Sequence, residues 1–260
     1  MATIQFVDTC ADRPEKRPQT DNSNISEKME LFYAKWLPDN GFSSVEQTDI
    51  DGQTPLHIAA QEGHLAVVKW LAKNGASVVQ ADNTGHTPLW YAALEGYLAV
   101  VMWLAKNGGA SSVKQADDFG YTPLFVAAQE GKLAVVEWLA KNGGASSVAQ
   151  VDNYGHTPLY VAALNNHLAV VMWLAANGGA SSVTQADNYN ITPQQIAIKM
   201  GHHNVAKWLK EKELKDKARR RRERITTVLA AMNRNAQQDN SQIPDLPKEM
   251  IEEILKGVNS

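Results

Sequence analysis

The sequence has one cysteine, Cys10, and no apolar run long enough to cross a membrane. A single cysteine excludes a disulfide within the chain and is typical of proteins in a reducing compartment. No segment approaches the roughly 18 consecutive apolar residues of a transmembrane helix. The first residues, MATIQFVDTC, also lack the pattern of a signal peptide. We therefore expect a cytoplasmic protein that does not enter the membrane.

Motifs that hold metals, phosphates or catalytic centres are missing as well. There is no HExxH zinc motif, no cysteine pair and no GxxxxGK phosphate loop. The recurring GGASSV segment lacks the Lys-Ser pair that a phosphate loop requires, and most of the seven histidines fall at positions that repeat along the chain. We expect a protein that is not an enzyme and that needs neither a cofactor nor a metal ion.

The chain does contain a Trp-Leu pair that recurs six times, so that six of the seven tryptophans belong to such a pair. The intervals between successive pairs are 34, 33, 35, 35 and 35 residues. A period in this range indicates a stack of similar supersecondary units, and such stacks bind partners more often than they catalyse reactions. The pairs begin at Trp36, Trp70, Trp103, Trp138, Trp173 and Trp208.

One repeat shows how the local signals predict its structure. Thr54 suits a helix N-cap, and Pro55 suits the first helical position, where no N–H is needed. Gly63 supplies a left-handed residue between two helices, and Asn74-Gly75 ends the second helix. The Asp, Asn and Gly residues that follow, up to Gly85, favour a tight turn.

These repeated segments resemble ankyrin repeats. The openings TPLHIAA, TPLWYAA, TPLFVAA and TPLYVAA, the Gly after each, the HLAVVxWL-type second helix and the NG(G)A ending carry the resemblance, over roughly residues 29 to 209. It implies an all-α solenoid of helix-turn-helix units with projecting hairpin fingers. Asn166 and Asn190 stand where the family has Gly, and Asn is the residue that best tolerates the left-handed conformation after Gly.

The tryptophan position itself departs from the family pattern, which has Val or Leu there, followed by Leu-Leu. In this chain Trp-Leu is followed by Ala in the four regular repeats. A large ring beside a methyl group keeps the packed volume similar, so we predict that the tryptophans belong to the core. The alternative is a ladder of tryptophans that binds a ligand.

Composition and charge divide the chain into six segments. We predict a flexible N-terminal arm (1–24), an incomplete capping repeat (25–49), ankyrin repeats (50–209), a basic amphipathic helix (210–235), a linker (236–242) and a last helix (243–260). Between Lys210 and Arg224, nine basic and four acidic residues give a charge of +5, so the rest of the chain carries −8. No aromatic residues interleave the arginines, so a solvated helix face is favoured over nucleic-acid binding or a nuclear address.

The resemblance implies a protein partner on the concave and finger surface of the repeats, and we expect a monomer. Exposed aromatic residues on rigid loops, such as Phe119 and Tyr154, are typical of protein interfaces. The other interpretation is that these aromatic residues stack from finger to finger. The candidate partner-binding residues are Asn83, Thr84, His86, Leu94, Glu95, Asp118, Phe119, Tyr121, Gln129, Glu130, Asn153, Tyr154, His156, Leu164, Asn165 and Tyr189.

The C-terminal segment LPKEMIEEIL resembles the first helix of an F-box. Such a helix docks on the Skp-type linker of a cullin-RING ubiquitin ligase, and ankyrin proteins of poxviruses and of some intracellular bacteria carry similar truncated F-box-like ends. The resemblance implies an adaptor that could act in a host cytosol. The alternative is a helix that folds back onto Ile225 to Met232 and caps the array. The F-box-like positions are Leu246, Pro247, Glu249, Ile251, Ile254 and Leu255.

Overall fold

The computed structural model describes residues 35–108, 111–143, 147–178 and 183–238. Within these ranges every regular element is a helix, so the predicted all-α fold is confirmed. Helix α1 is described over residues 35–39. Five helix pairs follow: α2 (Pro55–Gln61) and α3 (Leu65–Lys73), α4 (Pro88–Glu95) and α5 (Leu98–Gly108), α6 (Pro123–Gln129) and α7 (Leu133–Gly143), α8 (Pro158–Leu164) and α9 (Leu168–Asn177), α10 (Pro193–Lys199) and α11 (His203–Gln238). Two 3₁₀ turns, Ser112–Lys114 and Ser147–Ala149, lie after α5 and α7.

The five pairs stack into two layers of helices. The first helix of each pair packs on the first helices of the neighbouring pairs, and the second helices do the same. The Leu of each TPL opening, for example Leu56 and Leu124, is fully buried. The Leu of the Trp-Leu pair in each second helix, for example Leu71, is also fully buried. Each repeat therefore shares its core with its two neighbours, as expected for a solenoid.

The six tryptophans of the Trp-Leu pairs are half-buried and pack against this core, which supports the packing interpretation. The Ala that follows the pair is buried in three of the four regular repeats, as Ala105, Ala140 and Ala175, and Ala72 is half-buried. An Asn four residues after the Trp also recurs. Its side-chain amide donates to the tryptophan carbonyl at the helix end, as Asn142 does to Trp138 at 2.7 Å. A helix leaves its last carbonyls without partners, so this amide completes the C-terminus.

The two predicted glycine replacements take the left-handed conformation. Asn166, between α8 and α9, and Asn190, in the last turn, both have φ 63°. Gly63 has φ 76° at the position equivalent to Asn166. Asn therefore replaces Gly here without a change of backbone path, because its short polar side chain tolerates this region.

Helix α11 differs from the predicted segments 210–235 and 236–242. It is one continuous helix of 36 residues, and it joins the second helix of the last repeat to the basic segment. It also includes residues 236–238, which we predicted to be linker. Ala and Gln favour helices, which explains the extension through Ala236, Gln237 and Gln238. None of the described helices combines the length and the apolar character that crossing a membrane requires.

Candidate protein-binding surface

Each repeat is followed by a tight turn that we call a finger. The fingers are residues 49–53, 82–86, 117–121, 152–156 and 187–191. In each, one oxygen of the first residue's carboxylate accepts the backbone N–H groups two and four residues later; Asp152 accepts from Tyr154 at 2.9 Å and from His156 at 2.7 Å. These finger carboxylates are Asp49, Asp82, Asp117, Asp152 and Asp187.

Neighbouring fingers are joined by hydrogen bonds. The backbone N–H of Asn153 donates to the carbonyl of Phe119 at 3.0 Å, and its side-chain amide donates to the carbonyl of Asp118 at 3.0 Å. Asn83 and Asn188 make the equivalent pairs of bonds to the fingers before them. The predicted partner-binding residues Asn83 and Asn153 therefore fix the fingers to each other.

A glycine in each of the first four fingers allows this close approach. Gly155 has φ 82°, and a Cβ atom there would lie 2.5 Å from Oδ1 of Asn188. Only a glycine meets both conditions, a left-handed backbone and the absence of a side chain. The fingers thus form one continuous, hydrogen-bonded edge of the array.

The last residue of three fingers stacks on the following helix. His86 stacks on Trp90 with ring centres 3.8 Å apart, and His156 stacks on Tyr160 at 4.5 Å. Tyr121 occupies the same position in the finger between them and stacks on a Phe of α6 at 4.7 Å. The candidates His86, Tyr121 and His156 are therefore half-buried side chains at the base of the fingers.

Both finger histidines lie between two carboxylates. The Nδ1 atom of His86 is 3.5 Å from Asp82, and its Nε2 atom is 3.2 Å from Asp117 of the next finger. His156 lies in the same way between Asp152, at 2.8 Å, and Asp187, at 3.7 Å. These carboxylates were not predicted as part of the surface, although the sequence has an Asp five residues before each Thr-Pro pair.

Two tyrosines of the first helices complete this polar layer. The hydroxyl of Tyr91 donates to Asp82 at 2.9 Å, and that of Tyr160 donates to Asp187 at 3.0 Å. Burial, together with these bonds to carboxylates, raises the pKa of both tyrosines. Burial opposes the charged form of Asp82, but the hydrogen bonds from Thr84, Tyr91 and His86 outweigh it and hold the pKa of Asp82 below its ordinary value.

His57, at the start of the array, is a buried neutral ring. Its Nδ1 atom accepts the backbone N–H of Thr54 at 2.9 Å, which places the proton on Nε2. Nε2 lies 3.2 Å from the carbonyl of His86. Burial lowers the pKa of His57, so the ring stays uncharged at neutral pH. This histidine is part of the scaffold that supports the finger at residues 82–86.

Three aromatic side chains at the finger tips remain in solvent, and we call them the tip row. The exposed fractions are 47% for Phe119, 45% for Tyr154 and 74% for Tyr189. Within its own finger, the ring of Phe119 lies beside that of Tyr121, with ring centres 5.9 Å apart. In the next finger, the ring of Tyr154 lies beside that of His156, with ring centres 5.8 Å apart. The tip row lies on the last three fingers, so the exposed aromatic side chains of this edge belong to the C-terminal half of the array.

The remaining candidates are exposed or half-buried. Thr84 is exposed at its finger tip, where its hydroxyl donates to Asp82 at 2.8 Å. Asp118 is exposed beside Phe119. At the ends of the first helices the candidates are the exposed Glu95, Glu130 and Asn165 and the half-buried Leu94, Gln129 and Leu164. The F-box-like residues from Leu246 to Leu255 lie outside the described residues.

Comparison with protein families assigns this architecture. The family described as Ankyrin repeats (3 copies) matches residues 29–115, 109–186 and 141–222. The chain belongs to the ankyrin-repeat family. A comparison with curated proteins gives no match. The ankyrin repeats make the chain a protein–protein interaction module.

Within the described residues no group of three or more His, Cys, Asp or Glu side chains is arranged to hold a metal ion.

Proposed function

We propose that this ankyrin-repeat protein binds its partner along the finger edge, with the tip row as the main contact. The observation that carries the proposal is that Phe119, Tyr154 and Tyr189 are exposed on fingers held in place by hydrogen bonds. Aromatic anchors on a rigid support lose little conformational freedom on binding, so they contribute strongly to affinity.

The charge of the surface indicates the kind of partner. Glu62, Glu95 and Glu130 are exposed at the ends of three successive first helices. Together with the net charge of −8 outside the basic segment, they favour a partner segment that carries positive charge as well as apolar side chains. The aromatic faces of the tip row would also attract cationic side chains.

Replacing the three residues of the tip row by Ser is expected to weaken partner binding by at least about 30-fold. This corresponds to the loss of one hot spot of about 2 kcal/mol. The partner is first captured from cytosol with the wild-type chain, and its affinity for each variant is then measured by titration.

A matched control uses two exposed residues on the second helices. Met102 and Met172 are 45% and 44% exposed, similar to Phe119 and Tyr154. Their double replacement by Ser removes apolar surface away from the fingers and should leave the affinity unchanged. Equal affinities for the triple variant and the wild type would show that the partner binds elsewhere.

We further propose that the chain is an adaptor that links its target to a cullin-RING ubiquitin ligase. The sequence LPKEMIEEIL supports this, since it places Leu246, Pro247 and Glu249 ahead of the apolar pair Ile254-Leu255 as the first helix of an F-box does. The partner surface on the fingers and this segment are separate along the chain, as the two ends of an adaptor must be.

The variant Leu246→Ala/Pro247→Ala is expected to bind a purified Skp-type linker at least about tenfold more weakly than the wild type, a change of about 1.4 kcal/mol. Loss of the Leu side chain and of the helix-starting Pro removes the two most specific positions of the motif. Binding is measured by calorimetry with full-length chains, and Lys256→Ala serves as the control.

The alternative is a non-catalytic scaffold or inhibitor whose C-terminal helices only cap the array. The half-buried Ile225 and Val228 on α11 favour it, because they form an apolar strip beyond the last repeat. A wild-type chain that does not bind the linker, while it still captures its target, would support this alternative and reject the adaptor.

A further inference from the structure

The part of α11 that follows the last repeat forms one wall of a cavity of about 1190 Å³. The volume lies above the roughly 300–1,000 Å³ of most small-molecule sites, so it is large enough to accommodate the packed face of a helix. Thr184, between α9 and α10, is the described lining residue outside α11. The lining residues of α11 that matter here are Lys217, Arg220, Arg221, Arg224, Ile225 and Val228.

This wall has a positive and an apolar portion. Its two acidic residues are already paired within α11, since Glu213 lies 2.6 Å from Lys217 and Glu223 lies 4.0 Å from Arg219. The wall contains four basic side chains and only these two acidic ones, so its net charge is positive. Ile225 and Val228 follow one turn later along the helix, so an occupant should have acidic and apolar residues on a single face.

We propose that residues 246–258 of the same chain dock in this cavity as an amphipathic helix antiparallel to α11. Leu246, Met250 and Ile254 are four residues apart, the spacing of one helix face, and Ile251 and Leu255 widen that face. Glu249, Glu252 and Glu253 lie among them and match the arginines of the wall in charge. No other part of the chain beyond α11 offers both features.

The length of the intervening chain fits this placement. Residues 239–245 can span at most about 25 Å, at about 3.6 Å per residue. Val228 lies ten residues before Gln238, or about 15 Å along the helix axis. The chain can therefore reverse and bring Leu246 beside Val228. From there, residues 247–258 and the wall from Val228 back to Lys217 have nearly equal lengths as helices, about 16–18 Å.

Docking in this way would cover the F-box-like residues. Leu246, Ile251 and Ile254 cannot face α11 and a linker protein at the same time. Docking would thus compete with an external partner for the segment and lower its apparent affinity without abolishing binding, so release of the segment would be the controlled step. The docking proposal itself depends on α11 and on the charge of the segment, so it stands whether or not the chain binds a linker.

Hydrogen exchange of the full-length chain tests the proposal. The backbone amides of residues 248–256 are expected to exchange at least about tenfold more slowly than in a free peptide of residues 243–260, because docking stabilises the helix. The double variant Arg220→Glu/Arg224→Glu should return them to the rate of the peptide. Arg222→Glu, an exposed residue of α11 outside the cavity wall, is the matched control and should keep the slow exchange.

A charge exchange makes the assignment specific. Adding Glu249→Arg/Glu252→Arg to the double arginine variant should restore slow exchange in 248–256, while the amides of α8 and α9 report that the array stays folded. Peptide-like exchange in the wild type would overturn the proposal. So would protection that is insensitive to Arg220 and Arg224, or protection that grows with protein concentration, which would indicate the segment of a second copy. Linker binding is measured separately, so its failure and this one are distinguishable.

Discussion

Replacing Leu124 by Ala is expected to lower the free energy of unfolding by about 2–5 kcal/mol. Leu124 is 0% exposed and lies in α6, which packs on α4 on one side and on α8 on the other. The shorter side chain leaves a cavity that two neighbouring repeats share, so the array can close it only in part. Urea-induced unfolding, followed by far-UV circular dichroism, measures the change.

The position of Leu124 also affects the shape of the transition. In a solenoid, stability is close to a sum of repeats and interfaces, and a weakened central repeat separates the two halves. We therefore expect a broader transition as well as a lower midpoint. Leu214→Ala on α11, where the side chain is 58% exposed, is the control and should change stability by less than about 0.5 kcal/mol. Equal effects of the two substitutions would contradict the shared core.

The sequence was sufficient for the fold because its local signals repeat in register. Thr-Pro openings start the first helices, Asn-Gly pairs close the second helices, and the Trp-Leu period fixes their spacing. Even the exceptions followed a local rule, since Asn166 and Asn190 adopt the left-handed conformation that glycine has elsewhere. Signals of this kind need no knowledge of the tertiary structure.

The binding surface was only partly predictable, because its side chains depend on the neighbouring repeat. His86 looked like a free finger residue, but one of its nitrogens meets Asp117 of the next finger and its ring covers Trp90. The side-chain amide of Asn153 likewise donates a hydrogen bond to the preceding finger. Phe119, Tyr154 and Tyr189 reach solvent because they occupy the tips, where no following helix is available for stacking.

Helix α11 was misjudged at its C-terminal end for a different reason. The polar run AQQDNSQ was predicted to be a linker because of its overall composition. Its first three residues, however, have high helix propensity. A helix that is already formed adds each further residue at little cost, because nucleation has been completed. The helix therefore continues to Gln238 before the described residues end.

Replacing the finger carboxylate Asp82 by Ala is expected to lower the free energy of unfolding by about 2–5 kcal/mol. The side chain is 2% exposed, and its oxygens accept the backbone N–H groups of Thr84 and His86 and the hydroxyls of Thr84 and Tyr91. The substitution removes the protein acceptor of both backbone donors. Asp82→Asn keeps one acceptor oxygen for them and should cost less than Asp82→Ala in the same urea titration.

The pH dependence of the Asp82 variants follows from the direction of the pKa change. The pKa of Asp82 is lower in the folded chain than its ordinary 3.8, so the unfolded chain binds more protons near that pH. The stabilisation by the carboxylate is complete above pH 3.8 and is lost as the pH falls through the folded pKa. The difference in stability between the wild type and Asp82→Asn should therefore shrink in acid, and a constant difference would contradict a charged Asp82.

Replacing Asp by Asn at position 118 should instead raise the free energy of unfolding. Asp118 is exposed and stands where Asn83, Asn153 and Asn188 each donate an amide to the preceding finger. An Asn at 118 can add the bond that is missing from this series, so Asp118→Asn is expected to stabilise the array by about 0.5–1.5 kcal/mol. If both Asp→Asn changes destabilised the chain equally, a general effect of lost charge would explain them, and the distinct roles of the two carboxylates would be wrong.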